Sequence, residues 1–164
     1  MQQTAAAGYT LALGLTARPA ALAPMTAHAP LPAPALHVLC VEDNPVNLQL
    51  VRELIALRPQ VRLRTAEDGL TGVRVALAEP PELVLLDIQL PDIDGLEVMR
   101  RLRAQPATAG CCIVALSADA MPERISAALA AGFDDYWTKP IQFGAFLGHL
   151  DRMAAAHAAG APLR

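Results

Sequence analysis

The sequence feature that most constrains the fold is a run of four apolar residues that ends in a carboxylate, Leu83 to Asp87. Such a run predicts a strand buried on both faces, which is typical of parallel sheets. Asp87 would then lie at the carboxyl end of that strand, where open α/β sheets bind their ligands. An isolated Asp in this place is more often a helix N-cap or a turn residue, so the other strands must decide between these interpretations.

Strand patterns and helix patterns alternate along the chain. The segment 61–65 alternates apolar and polar residues, which predicts a half-buried strand near a sheet edge, and Asp94 with Glu97 has the spacing of a capping box. We expect Arg100, Arg101 and Arg103 to be solvated. Five strands alternating with five helices predict an α/β fold with a parallel sheet covered on both faces. The predicted strands are 36–41, 61–65, 83–87, 111–116 and 135–138, and the predicted helices are 44–58, 67–78, one that begins at 94, 122–131 and 141–153.

Two terminal segments differ in composition from the predicted domain at 36–153. Residues 1–35 are rich in Ala and Pro, which predicts an extended linker. Within it, 9–16 alternates apolar and small polar residues and is a possible strand from a domain that this chain lacks. Residues 154–164 are mostly Ala, Gly and Pro, and we expect a flexible tail there.

Composition and charge exclude several classes of protein. The chain of 164 residues, 54% hydrophobic, is long enough for one core. Its net charge of -3 indicates neither nucleic acid nor an acidic substrate. No apolar run approaches the ~18 residues of a membrane span, and the amino terminus lacks the basic region of a signal peptide. We therefore expect a cytoplasmic protein without direct membrane contact, whose Cys40, Cys111 and Cys112 are buried, reduced thiols.

Chemically useful residues follow four of the predicted strands. These are Glu42 and Asp43, then Asp87, Ser117 and Lys139. The carboxyl ends of parallel strands meet at one edge, where three carboxylates would repel and their pKa values would rise. A Mg²⁺ ion would resolve that conflict. With a Lys ammonium and a Ser hydroxyl nearby, the set could hold a phosphoryl group on an Asp carboxylate.

Four motifs occur in order along the chain. They are Val41-Glu42-Asp43-Asn44-Pro45, Leu86-Asp87-Ile88-Gln89-Leu90-Pro91-Asp92-Ile93-Asp94-Gly95, Ala115-Leu116-Ser117-Ala118 and Tyr136-Trp137-Thr138-Lys139-Pro140. Together they resemble the motifs of the receiver domain of two-component response regulators. The resemblance covers the chain from about Leu36 to Met153 and implies a flavodoxin-like (βα)5 fold with a five-stranded parallel sheet of order 2-1-3-4-5.

The resemblance implies an acceptor and a metal site. Asp87 would be the phosphorylated residue. Glu42, Asp43, Asp87 and the main-chain carbonyl of Gln89 would hold Mg²⁺ as the cofactor.

The resemblance also implies how the phosphoryl group is held and sensed. Ser117, the main chain of Ala118 and Lys139 would bind the phosphoryl oxygens. Ser117 and Tyr136 would form a switch pair, in which the Ser hydroxyl moves inward and the Tyr ring turns into the vacated space. The bond between Lys139 and Pro140 would be cis.

These expectations describe a signalling protein with no enzymatic turnover beyond self-phosphoryl transfer and autodephosphorylation. Its partners would be a histidine kinase or histidine phosphotransfer protein, and its output face would be 122–131, 135–138 and 141–153. The sequences at 42–47 and 132–141 are similar to those of receivers attached to hybrid histidine kinases. The alternative is therefore the carboxyl-terminal receiver fragment of a hybrid sensor histidine kinase.

Two other classes of protein remain as alternatives. Phosphatases of the haloacid dehalogenase type also place Asp, Ser or Thr, and Lys at strand ends, but they need a second Asp two residues after the nucleophile, where this chain has Gln89. A pseudo-receiver that only binds partners would be favoured by loss of one of the five strand-end residues. None of the five is lost.

Overall fold

The predicted parallel sheet is confirmed in the computed structural model, which describes residues 35–163. Five parallel strands form one sheet in the order β2-β1-β3-β4-β5. The predicted linker up to residue 34, with its candidate strand 9–16, lies outside the described residues. The strands are β1 (Leu36–Val41), β2 (Val61–Ala66), β3 (Leu83–Asp87), β4 (Cys112–Ser117) and β5 (Asp135–Thr138), and the helices are α1 (Pro45–Ala56), α2 (Gly69–Ala78), α3 (Gly95–Arg103), α4 (Pro122–Ala131) and α5 (Phe143–Ala158).

The position of each strand agrees with its hydrophobic pattern. β3 is the central strand and all of its residues are buried, as an unbroken apolar run between two helical layers requires. β2, which alternates, is an edge strand. The order 2-1-3-4-5 is that of a flavodoxin-like doubly wound fold.

The sheet separates two apolar layers, because successive side chains of a strand point to opposite faces. Leu36, Val38 and Cys40 of β1 belong to the layer under α1 and α5. Leu39 and Val41 belong to the layer under α2, α3 and α4. The core therefore fills both faces of the sheet and leaves its carboxyl edge to the polar residues.

The three cysteines are buried thiols, as predicted. Burial raises the pKa of the Cys40 thiol to about 12, and burial likewise raises the pKa of Cys112 to about 12. Both of these thiols are therefore protonated at neutral pH and poorly reactive.

The helix starts follow the sequence signals with three differences, one of which is that α5 begins at Phe143 instead of residue 141. Asn44 caps α1 by accepting from the backbone N–H of Val46 and Asn47. The capping box of α3 is only half formed, because Asp94 accepts from the Glu97 N–H but the Glu97 carboxylate pairs with Arg101. The second helix begins at Gly69 instead of residue 67, because Asp68 is its N-cap and accepts from the Thr71 N–H.

The expectation that Arg103 is solvated is wrong. Its guanidinium lies 2.6 Å from the Asp134 carboxylate and donates to the carbonyls of Ala109, Cys111 and Gly132. These groups lie where α3 ends beside the start of β4 and the turn before β5. The side chain is drawn in because it satisfies several backbone acceptors that face the same point.

The last helix is longer than expected. α5 ends at Ala158, whereas the sequence indicated an end near Met153. The added residues are mostly Ala, the strongest helix former. Leu163 of the segment expected to be a flexible tail packs against the layer under α1 and α5.

Among the described helices, none combines the length and the apolar content that crossing a membrane requires.

Candidate functional site

The five predicted strand-end residues lie at the carboxyl edge of the sheet. Glu42 and Asp43 follow β1, Asp87 ends β3, Ser117 ends β4 and Lys139 follows β5. The first, third and fourth of these side chains are buried, with exposed fractions of 1%, 5% and 8%. The parallel topology therefore brings together residues that lie up to 97 positions apart in the sequence.

Three of these residues form an acidic cluster. Glu42, Asp43 and Asp87 each offer one carboxylate oxygen, and the three oxygens lie within 4.8 Å of one another. Two of the carboxylates are buried, so water cannot screen their mutual repulsion well. A donor set of carboxylate oxygens without nitrogen or sulfur is the set that Mg²⁺ and Ca²⁺ prefer. The residues present therefore fit a hard divalent cation.

Lys139 supplies positive charge to the same cluster. Its ammonium Nζ lies 2.6 Å from Asp87 Oδ2 and 2.5 Å from Glu42 Oε2. Burial alone would lower the pKa of Lys139, but the hydrogen bond to Asp87 and the attraction of the Asp87 and Glu42 carboxylates outweigh it and raise that pKa above 10.5. The ammonium is therefore charged at neutral pH and links two members of the acidic cluster.

The two oxygens of the Glu42 carboxylate have different surroundings. Oε1 accepts from the side-chain amide of Asn47 at 3.0 Å and from the Asn44 N–H at 3.3 Å. Oε2 has no hydrogen bond of acceptable geometry, although the Lys139 ammonium is close to it. The sequence pattern indicated Asn44 only as a cap and gave no role for Asn47. The available signal was its position as the third residue of α1, from which a side chain can reach back past the N-cap.

Asp87 is held at both carboxylate oxygens. Oδ1 accepts from the Gln89 N–H at 2.9 Å, and Oδ2 contacts Lys139. The loop that follows is fixed by bonds from the Ile88 N–H to the Leu116 carbonyl and from the Gly95 N–H to the Ile88 carbonyl. The main chain of Gln89 therefore lies beside the cluster. The roles of the Gln89 carbonyl and of the Ala118 main chain stay predictions.

Ser117 and Tyr136 contact the same residue in the loop after β4. The Ser117 hydroxyl accepts from the Asp119 N–H at 3.1 Å, and the Tyr136 hydroxyl donates to the Asp119 carbonyl at 2.6 Å. The Tyr136 ring is buried. Both residues also line a cleft of about 350 Å³ between α3 and α4. The peptide bond between Lys139 and Pro140 is cis.

Comparison with known proteins identifies the family. The sequence model of the family described as the response regulator receiver domain matches residues 38–151 of this chain. The chain belongs to this family. Membership decides against the phosphatase interpretation and agrees with the resemblance expected from the four motifs.

Receiver domains similar to this one occur in sensor kinases. The chain is 40% identical over 115 residues to the sensor protein GacS of Pseudomonas syringae pv. syringae, which covers 68% of this chain and 13% of that protein. It is 31% identical to the receiver domain of sensor histidine kinase PA1611 from Pseudomonas aeruginosa PAO1, with a TM-score of 0.66 over 74% of this chain and 98% of that one. That structure has a magnesium ion coordinated in the active site cleft.

A yeast receiver domain also matches, and it was crystallised with a partner. The receiver domain of Ssk1 from Saccharomyces cerevisiae, in complex with the histidine phosphotransfer protein Ypd1, is 26% identical with a TM-score of 0.68. The match covers 76% of this chain and 92% of that one. This receiver is thus homologous to phosphorelay receivers, including those of hybrid kinases, although the chain spans only about an eighth of GacS.

Proposed function

We propose that this chain is a phosphorelay receiver that accepts a phosphoryl group on Asp87 and switches a partner-binding surface. The observation that carries the proposal is that the Asp87 carboxylate belongs to an acidic cluster that fits a divalent cation and also contacts the Lys139 ammonium. Positive charge on both sides of an acceptor carboxylate is what phosphoryl transfer needs, because charge is spread over three oxygens in the transition state.

In the proposed transfer, an oxygen of Asp87 attacks the phosphorus of a phosphohistidine. The new P–O bond forms while the P–N bond breaks, and the leaving nitrogen keeps the electron pair, so a ring protonated at its other nitrogen departs as neutral imidazole. The Lys139 ammonium turns from the Glu42 carboxylate to the phosphoryl oxygens, and the Ser117 hydroxyl and the Ala118 main chain donate to them. The Gln89 N–H holds the acceptor carboxylate in place.

The proposed cofactor is Mg²⁺. Glu42, Asp43, Asp87 and the main-chain carbonyl of Gln89 would hold it, and when bound it would supply positive charge to the acidic cluster and the phosphoryl oxygens. The all-oxygen donor set and the buried Glu42 oxygen without a hydrogen bond support this assignment. The magnesium-bound receiver of PA1611 is a further support.

The proposed phosphoryl donor is a histidine kinase or a histidine phosphotransfer protein. This is supported by the similarity to a receiver crystallised with Ypd1 and by the similarity to GacS. The second candidate is that the chain is the receiver part of a hybrid sensor histidine kinase, which its likeness to GacS favours.

A cytoplasmic location suits three cysteine thiols, because thiols stay reduced there. We propose no turnover of external substrates, only self-phosphoryl transfer and autodephosphorylation.

The proposed output surface consists of α4, β5 and α5. Ser117 and Tyr136 would couple it to Asp87, and their shared contact with Asp119 supports this role. A shift of the Ser hydroxyl toward a phosphoryl group would release the Asp119 N–H, while the Tyr hydroxyl still holds the carbonyl of that residue. The loop before α4 would then change its conformation.

Mass spectrometry after incubation with acetyl phosphate and MgCl₂ tests the proposal. We expect one acid-labile phosphoryl group on the wild type and none on Asp87→Asn. Asp92→Asn is a matched control, because Asp92 lies in the same loop but bonds the N–H groups of Gly69 and Leu70 outside the cluster. Equal labelling of Asp87→Asn and wild type would contradict the assignment.

A further inference from the structure

One side chain outside the acidic cluster contacts it directly. The Asn47 amide, on the third residue of α1, donates to Glu42 Oε1 at 3.0 Å, and the Asn44 N–H contributes a second bond of 3.3 Å to the same oxygen. Asn47 is half-buried and Glu42 is 1% exposed. The hydrogen bond from the Asn47 amide is therefore shielded from competing water, and it holds a carboxylate that has little contact with solvent.

The remaining oxygen of Glu42 faces the site. Oε2 lies 2.5 Å from the Lys139 ammonium, which also contacts Asp87 Oδ2, and it has no hydrogen bond of acceptable geometry. One carboxylate oxygen is thus held by two N–H donors, and the other carries the ion pair with Lys139 on the side of the acidic cluster. These donors come from the N-cap and the third residue of α1, so the start of the helix holds this oxygen of the carboxylate.

We propose that Asn47 is a positioning residue of the cation site: by fixing Oε1, it orients the Glu42 carboxylate so that Oε2 is presented to the metal. The inference rests on the divalent-cation part of the proposed function. Asn47 is not one of the residues proposed to hold the ion, and its neutral amide adds no charge to the site. Asn47 acts on the geometry of the site. Without its amide, the buried Glu42 carboxylate can rotate about its last side-chain bond, and Oε2 is no longer held in one direction.

The two common hard cations respond differently to a loss of geometry. Mg²⁺ demands a near-ideal octahedron, whereas Ca²⁺ accepts six to eight oxygens at variable angles. Loss of a positioning bond should therefore weaken Mg²⁺ binding more than Ca²⁺ binding. A variant that only destabilised the fold would weaken both equally, so the ratio of the two affinities reports positioning specifically.

Isothermal titration of the full chain with MgCl₂ and with CaCl₂ tests the inference. We expect Asn47→Ala to weaken Mg²⁺ binding about tenfold, the lower end for partners that orient a metal ligand, and Ca²⁺ binding by about threefold or less. Asn47→Leu, which preserves side-chain bulk without a donor, should behave in the same way. Gln49→Ala is the matched control, because Gln49 also donates an amide to a carboxylate of α1, that of Glu53, but does so on the exposed face.

Three results would overturn the inference. Unchanged Mg²⁺ affinity in both Asn47 variants would show that Glu42 is positioned without the amide. Equal losses for Mg²⁺ and Ca²⁺, or a loss of the same size in Gln49→Ala, would show a general effect on α1. Absence of Mg²⁺ binding by the wild type would remove the metal part of the proposed function together with this inference, whereas wild-type binding with unchanged variants removes the inference alone.

Discussion

The ammonium of Lys139 lies 2.6 Å from Oδ2 of Asp87, so this carboxylate is already paired with a cation. The same ammonium lies 2.5 Å from Glu42, a second member of the acidic cluster. A divalent cation at the cluster would take over the neutralisation of both carboxylates. Lys139 would then be free to contact another anion, which is the role that the proposed transfer gives it.

Removal of the ammonium should make the fold depend on a divalent cation. Lys139→Met leaves the buried carboxylates of Glu42 and Asp87 without their counter-ion, and we expect a loss of about 3 kcal/mol in the free energy of unfolding in EDTA. Excess MgCl₂ should restore much of it, because a ligand that binds only the folded state stabilises that state. Urea unfolding with and without MgCl₂ measures both effects.

The control for this prediction is Arg101→Met. It removes an exposed ion pair with Glu97 on α3, and such pairs contribute about 1 kcal/mol or less. A Lys139→Met variant whose stability is the same in EDTA and in MgCl₂ would contradict the shared neutralisation of Glu42 and Asp87.

Gly95 allows α3 to approach the end of β3 closely. A Cβ atom at this position would collide with the Asp87 carbonyl oxygen and lie 2.9 Å from the Ile88 Cα. Both are backbone atoms, which cannot move aside as a flexible side chain can, so we expect Gly95→Ala to lower the free energy of unfolding by about 2 kcal/mol. Chemical denaturation measures this loss.

Gly144→Ala provides the matched comparison. Gly144 lies in α5, and a Cβ atom at its position would meet no neighbouring element of the described chain within 4 Å. The change should therefore stabilise the protein by about 0.5 to 1 kcal/mol, because Ala favours a helix more than Gly does. Equal stability of the two variants would show that α3 can shift away from Asp87 at little cost.

An ion pair between Arg58 and Asp151 should make the free energy of unfolding fall as the pH becomes acidic. The hydrogen bond from Arg58 lowers the pKa of Asp151 below 3.8. The unfolded state therefore binds a proton more readily than the folded state does, so this contribution is present above the unfolded pKa and is lost as pH falls through the folded pKa. Between about pH 5 and about pH 3, wild type should lose more stability than Asp151→Asn, as measured by urea midpoints. Parallel losses in the two proteins would contradict the pairing.

Beryllofluoride, a phosphoryl mimic, should change the conformation of the loop after β4, to which the Tyr136 hydroxyl bonds, and of β5, which contains Tyr136. Because the Tyr136 hydroxyl bonds the Asp119 carbonyl, we expect amide NMR shifts to extend from Asp87 to residues 118–139 in the wild type and to be reduced at β5 in Tyr136→Phe. Trp137→Phe is the control, since Trp137 packs on the opposite layer. Shifts confined to the loops around Asp87 in the wild type would contradict the coupling.

Much of this site could be predicted from the sequence, because its signals are local. A run of apolar residues indicates burial whatever surrounds it, and the alternation of strands and helices limits the sheet to a few topologies. Residues that end such strands must meet at one edge. Glu42, Asp43, Asp87, Ser117 and Lys139 could therefore be named before any distance was measured.

The tertiary structure alone decided which of these residues contact one another and what else contacts them. Lys139 pairs with both Asp87 and Glu42, and Asn47 bonds only one oxygen of Glu42. Arg103 turned inward to Asp134, 31 residues away, although its helical position indicated solvent. Periodicity tells which side of a helix is apolar, but long polar side chains choose their partners from atoms that only the packed chain brings within reach.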